Sequence, residues 1–264
     1  MSCTASPFSS SVRPSLPEIH IDEDAARRCR SVVRAYRPAH LALVDYKLAC
    51  WEALPAEYRQ LIKGYGDKMG QMRAAIEGNA KFLEEVTMET DVGGKGEVEE
   101  VGEDEEAATV GEWGLLGGLF GRIVVEWSSE GEDVREGLFG IVIRGMESVL
   151  QEEKRREARV LVPGMGLGRL VWEIRERFGL REVVGVESED LVAVLGGGIM
   201  KLMCAREKFW DIYPFPLQVS NVRSTADQMR SVRVPEALDL PSDGKKQDEV
   251  SRVGINAGEF LKLY

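Results

Sequence analysis

Between Val160 and Leu170 the chain reads Val-Leu-Val-Pro-Gly-Met-Gly-Leu-Gly-Arg-Leu, an apolar run followed by three glycines at alternate positions. The run has no polar alternation, as expected of a parallel strand covered on both faces. Glycines permit a tight turn and let the backbone approach a ligand closely, and the start of the following helix offers free N–H donors. Residues of these types in this order suit the binding of a nucleotide-like molecule.

Spacing narrows the class. A dinucleotide turn needs G-x-G-x-x-G, with its third glycine three places after the second. Here Gly168 follows Gly166 by two, and Arg169 fills the dinucleotide position. The G-x-G-x-G pattern resembles the first motif of S-adenosylmethionine (SAM) methyltransferases, which have no pyrophosphate to cradle. A second apolar run, Val183-Val184-Gly185-Val186, ends at Glu187, about one βαβ unit further on. A carboxylate there can accept hydrogen bonds from both hydroxyls of an unphosphorylated ribose. Arg252–Asn256 reads as a third strand, followed by Ala257-Gly258-Glu259-Phe260. An acidic–aromatic pair after the third strand is where such methyltransferases often hold the adenine. The alternative is a glycine-rich turn without a ligand and a surface glutamate.

These positions need a scaffold, and the rest of the chain supplies candidates. Residues 1–21 read as a disordered tail, rich in Ser and Pro at first. Residues 22–152 form a helical region, beginning near Asp22, with Val44, Leu48, Trp51, Tyr58 and Leu61 at three- to four-residue steps and a break at Pro55. Met69, Met72, Ile76, Leu83 and Val86 mark one face of a further helix. Residues 88–112 read as a solvated Gly/Glu linker. Helices are expected again at Leu115–Trp127 and Val134–Leu150, the latter with Val134, Leu138, Ile141 and Val149 on one face. Residues 153–264 contain the three strands, a helix around Leu191–Ala205 loosened by Gly196-Gly197-Gly198, and an aromatic, Pro-rich stretch from Trp210 that reads as a long structured loop.

Composition sets the outer limits. The net charge of −11 is concentrated in residues 89–106, where nine Asp/Glu against one Lys contribute −8 and leave about −3 for the remainder. Without a basic surplus, general nucleic-acid binding is not expected. Cys3, Cys29, Cys50 and Cys204 form no CxxC pair, and only His20 and His40 are available, so no metal site is expected and the compartment reads as reducing. No apolar run reaches the length of a membrane span, and the first twenty residues have no secretory h-region. The cytoplasm is the expected location, with the nucleus as the alternative.

The chain resembles the carnosine N-methyltransferase family. The carrying segments are RVLVPGMGLGRLVWEI (159–174), VVGVES (183–188), IYPFPLQVSNVRSTADQMRSVRVPE (212–236) and INAGEF (255–260); upstream, VVRAYRPAH (32–40), LPAEYRQLI (54–62) and VVEWSSEG (124–131) are similar to the family's helical region. The resemblance implies an α/β fold in which a helical N-terminal region precedes an incomplete Rossmann-like SAM-methyltransferase domain with about three parallel strands. It implies SAM as cofactor and a carnosine-like dipeptide or other small molecule as methyl acceptor; a homodimer is compatible with it. Gly164 and Gly166 would line the cofactor, Glu187 would hold the ribose, and Glu259 with Phe260 the adenine. The family's Gln and Arg on the helix before a DWS-like motif align with Arg122 and Val125, so Val125 lacks the group that would meet a carboxylate. Glu259 stands where the family usually has Asp, and the family's NEWS-like motif reads Val-Glu-Ser-Glu.

The family's fourth strand, which carries its acidic acceptor-binding and catalytic groups, is not found in the 264 residues. No catalytic residue is therefore assigned, and the chain reads as a truncated member whose first strand would become a sheet edge. A second reading is a non-catalytic homologue acting as a binding or dimerisation module. A different nucleotide-binding protein is disfavoured by Arg169.

Overall fold

The computed structural model describes residues 16–90, 110–205, 209–218, 220, 222–235 and 252–258. Most of the acidic linker, together with Glu259 and Phe260, lies outside the described residues; of the linker, 88–89 end one helix and 110–112 begin the next.

A short strand β1 (Glu18–His20) leads into helices α1 (Glu23–Glu52), α2 (Ala56–Leu61), α3 (Tyr65–Glu89), α4 (Val110–Trp127), α5 (Glu132–Val149) and α6 (Glu152–Arg155). The α/β part follows as β2 (Arg159–Pro163), α7 (Arg169–Phe178), β3 (Glu182–Glu187), α8 (Asp190–Ala205), β4 (Trp210–Ile212), α9 (Thr225–Gln228), β5 (Val232–Val234) and β6 (Arg252–Ala257). The main sheet is parallel, in the order β1-β6-β3-β2. The expected three strands are β2, β3 and β6, side by side in the order β6-β3-β2, with β2 at an edge.

Several elements depart from expectation. Glu18, Ile19 and His20 fall within the stretch read as a tail, yet they pair with Gly254, Ile255 and Asn256. Ile19 is drawn in because it reaches across the sheet edge towards α8, where Gly197 leaves room for it. The Trp210 stretch is not all loop: β4 and β5 form an antiparallel pair with Asp211 opposite Arg233. The glycines of α8 do not loosen it; they let its backbone press against neighbours on three sides, namely Leu167, Ile19 and Val86. Finally, the apolar stripe of α5 points outward. Val134, Leu138, Ile141 and Val149 are exposed, while Ile143 and Arg135 face inward. Tyr58 and Leu61, on α2, are likewise exposed, so that of the expected first stripe only Val44 is fully buried.

Elsewhere the helical pattern and the packing agree. Asp22 caps α1, its side-chain oxygen accepting from the N–H of Asp24 at 2.9 Å and of Ala25 at 3.3 Å. The Met69, Met72, Ile76, Leu83 and Val86 face of α3 is buried, and α3 packs between α1 and α8. No helix among the described residues is long and apolar enough to cross a membrane.

A buried polar clasp ties α3 to the β4 region. Asn79, fully buried on α3, donates to the Tyr213 carbonyl at 2.8 Å and to the Tyr36 hydroxyl at 3.3 Å, while the Tyr213 N–H donates back to it at 2.8 Å. Burial pushes the Tyr36 hydroxyl up to about 12, so it stays a neutral hydrogen-bonding group at any physiological pH. Truncating Asn79 strands both Tyr213 backbone groups away from water. Asn79→Ala is expected to lower stability by about 2 kcal/mol in urea unfolding, and a loss below about 0.5 kcal/mol would show that water reaches those groups.

Candidate functional site

The glycine turn between β2 and α7 is built from three residues that only glycine accommodates well. Gly164, Gly166 and Gly168 have φ of +62°, +60° and +83°. Gly164 faces open space, with no heavy atom within 4 Å of where a Cβ would stand, so a ligand can lie against its backbone. The Met165 N–H donates to the Val186 carbonyl at 3.0 Å, which couples the turn to the end of β3.

Glu187 ends β3 beside this turn, and its residue surface is 8% exposed. One carboxylate oxygen accepts from the Gly166 N–H at 2.9 Å; the other accepts from the Glu189 N–H at 3.2 Å and the Ser188 hydroxyl at 3.3 Å. A carboxylate has about four lone-pair sites, so acceptor capacity remains for ligand hydroxyls. Its backbone carbonyl accepts from Gly258 at 2.9 Å, bringing the end of β6 to the same place. Gly164, Gly166 and Glu187 thus converge at the carboxyl ends of the strands, where open parallel sheets bind ligands.

A second wall of the site comes from the end of α4, where Glu126 and Trp127, not singled out in the sequence, bond the turn. Glu126 accepts from the N–H of Leu167 at 3.1 Å and of Arg169 at 3.4 Å. Its neighbour Trp127, fully buried, donates its indole N–H to the Leu167 carbonyl at 3.0 Å. Adjacent residues of one helix therefore grip both ends of the Leu167 residue. Burial pushes the Glu126 carboxyl up to about 7, against the two N–H bonds and the Arg122 charge, which pull it down; the Glu187 charge adds to the rise. A signal was present: Arg122 and Glu126 are the two charges in the otherwise apolar run 115–127, spaced one helical turn apart.

Other side chains brace this wall. Arg135, buried on α5, donates to the carbonyls of Val125 and Ser128 at 2.7 Å each and so holds the carboxyl end of α4. Arg169 occupies the dinucleotide glycine position but turns away from the turn. Its guanidinium pairs with Glu173 at 2.9 Å and lies over the Trp127 ring at 5.3 Å, buried, and serves packing. Arg122 is exposed on α4, close enough to Glu126 to act on it electrostatically. Val125 contributes only its backbone carbonyl to these contacts.

The sequence model of carnosine N-methyltransferase matches residues 116–264, from the middle of α4 onward. The chain belongs to the carnosine N-methyltransferase family. It is 24% identical over 220 residues to the carnosine N-methyltransferase of Mus musculus, a match covering 81% of this chain and 52% of that protein. The enzyme of the same name from Schizosaccharomyces pombe is 30% identical over 146 residues, covering 54% of this chain and 37% of its own length. That of Drosophila melanogaster is 28% identical over 144 residues, covering 54% and 30%. The chain thus spans about half the length of the mouse relative, and less of the others. The matched region takes in residues 116–127 of α4, including Glu126 and Trp127, which form the wall of the glycine turn.

Proposed function

We propose that this chain carries the SAM-binding part of a carnosine N-methyltransferase-like enzyme. The observation that carries the reading is the convergence of the open Gly164 backbone with the Glu187 carboxylate at the end of β3. Gly164 and Gly166 would lie along the cofactor, and the free lone pairs of Glu187 would take the two ribose hydroxyls. Arg122 would meet the carboxylate of the methionine end, a contact that Val125 cannot share; Glu259 and Phe260 would hold the adenine.

When bound, SAM supplies an electrophilic methyl group. The methyl acceptor would be a neutral imidazole nitrogen of carnosine or a related His-containing peptide. The residues of this chain contribute by fixing the donor, since alignment of the reacting atoms supplies much of such a rate.

Calorimetric titration of the 264-residue chain with SAM tests the reading. Saturable one-to-one binding is expected, weakened about 10- to 100-fold in Glu187→Ala by loss of the charged ribose contacts. Equal affinity in wild type and variant would sink the ribose assignment, and no binding to the wild type would sink the reading as a whole.

One observation favours a second, non-catalytic reading as a binding module: the exposed Val134, Leu138, Ile141 and Val149 stripe of α5. Sedimentation of the chain separates the two, because a module built on that stripe self-associates and Leu138→Glu disperses it.

A further inference from the structure

We propose that Glu126 is a specificity-determining residue: an internal anion seated on the glycine turn that excludes phosphate-bearing nucleotides from the cofactor site. The proposal rests on the reading that an adenosine-containing cofactor lies along that turn.

A helix amino terminus preceded by a glycine-rich turn is a general seat for phosphate, because its N–H groups point outward and its dipole favours negative charge. Here that seat is already taken. The helix α7 starts at Arg169 with Gly168 as its cap, and Gly168 has no side chain to satisfy the first N–H groups. Glu126, from another helix, bonds the first of them, the N–H of Arg169, and the N–H of Leu167 in the turn before it. Its carboxylate lies so close that a Cβ on Gly166 would stand 2.7 Å from Oε1. The turn thus carries one carboxylate on its Leu167–Arg169 side and a second, Glu187, on Gly166. An incoming pyrophosphate would find the N–H donors of Gly166, Leu167 and Arg169 occupied and two carboxylates beside it, whereas a sulfonium-bearing group needs none of these donors and meets no repulsion from the carboxylates. Specificity here comes from a built-in repulsive element, which the ribose-binding carboxylate alone does not provide at the turn.

The exclusion predicts a gain of binding when the seat is emptied. Affinities of adenosine and ADP are compared at pH 8.5, with Glu126 ionised, for the wild type, Glu126→Ser and Glu126→Gln. Adenosine reports the nucleoside pocket, and the ADP-to-adenosine affinity ratio reports the seat. The ratio is expected to rise at least about tenfold in Glu126→Ser, given the size of charge–charge terms near a protein surface, and to rise less in Glu126→Gln, which keeps the volume and removes the charge. An unchanged ratio in both variants overturns the proposal; where Glu126→Ser does not fold, Glu126→Gln decides. Inorganic pyrophosphate, titrated alone, separates this proposal from the cofactor reading. If adenosine does not bind even the wild type, the cofactor reading fails, and a pyrophosphate affinity gained by the variants still supports the seat, while equal affinity in all three proteins overturns it.

Discussion

Gly198→Ala is expected to destabilise the chain by about 3 kcal/mol or more, although alanine is the better helix former. In an open helix position the exchange would add about 0.5–1 kcal/mol of stability. At Gly198 a Cβ would stand 2.7 Å from the Cγ1 of Val86 and closer still to the Val86 carbonyl oxygen. That oxygen belongs to the backbone of α3, which cannot yield as the end of a flexible side chain can. Either α8 moves off α3 or the strain stays, and overpacking of this kind typically costs 1–3 kcal/mol, at times more. Movement would also disturb the site, because Gly196 packs against the Leu167 backbone in the same way. Gly117→Ala on the exposed side of α4, where a Cβ meets nothing within 4 Å, is the control and should raise stability slightly. Urea unfolding followed by circular dichroism reads both. Equal effects of the two exchanges would mean that α8 does not sit against α3 as described.

The second large effect is on pH dependence. The Glu126 carboxyl titrates at about 7 in the folded chain against an ordinary 4.5. The folded state therefore binds this proton more tightly than the unfolded state between those values. Stability attributable to Glu126 is fully present below about 4.5, declines as pH rises, and is lost above about 7. A shift of this size corresponds to about 3 kcal/mol across the window. Glu126→Gln removes the titration, so the stability difference between wild type and variant should change by about that amount between pH 4.5 and 8, the wild type losing ground as pH rises. Taking the difference cancels the groups common to both, including Asp190, whose partly buried carboxyl is also raised, and His40, which burial lowers. A constant offset across the window would show Glu126 to be solvated and its two N–H bonds to be weak. The ionised form carries a desolvation cost, and the Leu167 and Arg169 N–H bonds offset part of it by shaping the turn.

How much of this was readable beforehand depends on the range of the interaction. The β2, β3 and β6 runs were legible because a buried parallel strand has a local signature, a short apolar run ended by turn residues. The glycine turn was legible because positive φ at Gly164, Gly166 and Gly168 is a property of single residues, and Glu187 followed from its place at a strand end. The adenine pair Glu259 and Phe260 was read the same way and lies outside the described residues. The α5 stripe shows the limit of periodicity, which reports that Val134, Leu138, Ile141 and Val149 share a face but not whether anything covers it. The Gly196–Gly198 run shows the limit of propensity: glycine costs helix stability locally, and only the approach of α3, β1 and the turn makes it required. Glu126 bonds a turn 41 and 43 residues away, and Asn79 bonds Tyr213 across 134 residues. Neighbouring residues can mark such a side chain as unusual, as the apolar run around Glu126 does, but not name its partner, because contacts of that span exist only once separate helices and strands have packed. The sequence by itself determined the strands, the turn and the carboxylate that flanks it; tertiary packing decided what closes the turn, because Glu126 and Trp127 reach it only when α4 lies against it.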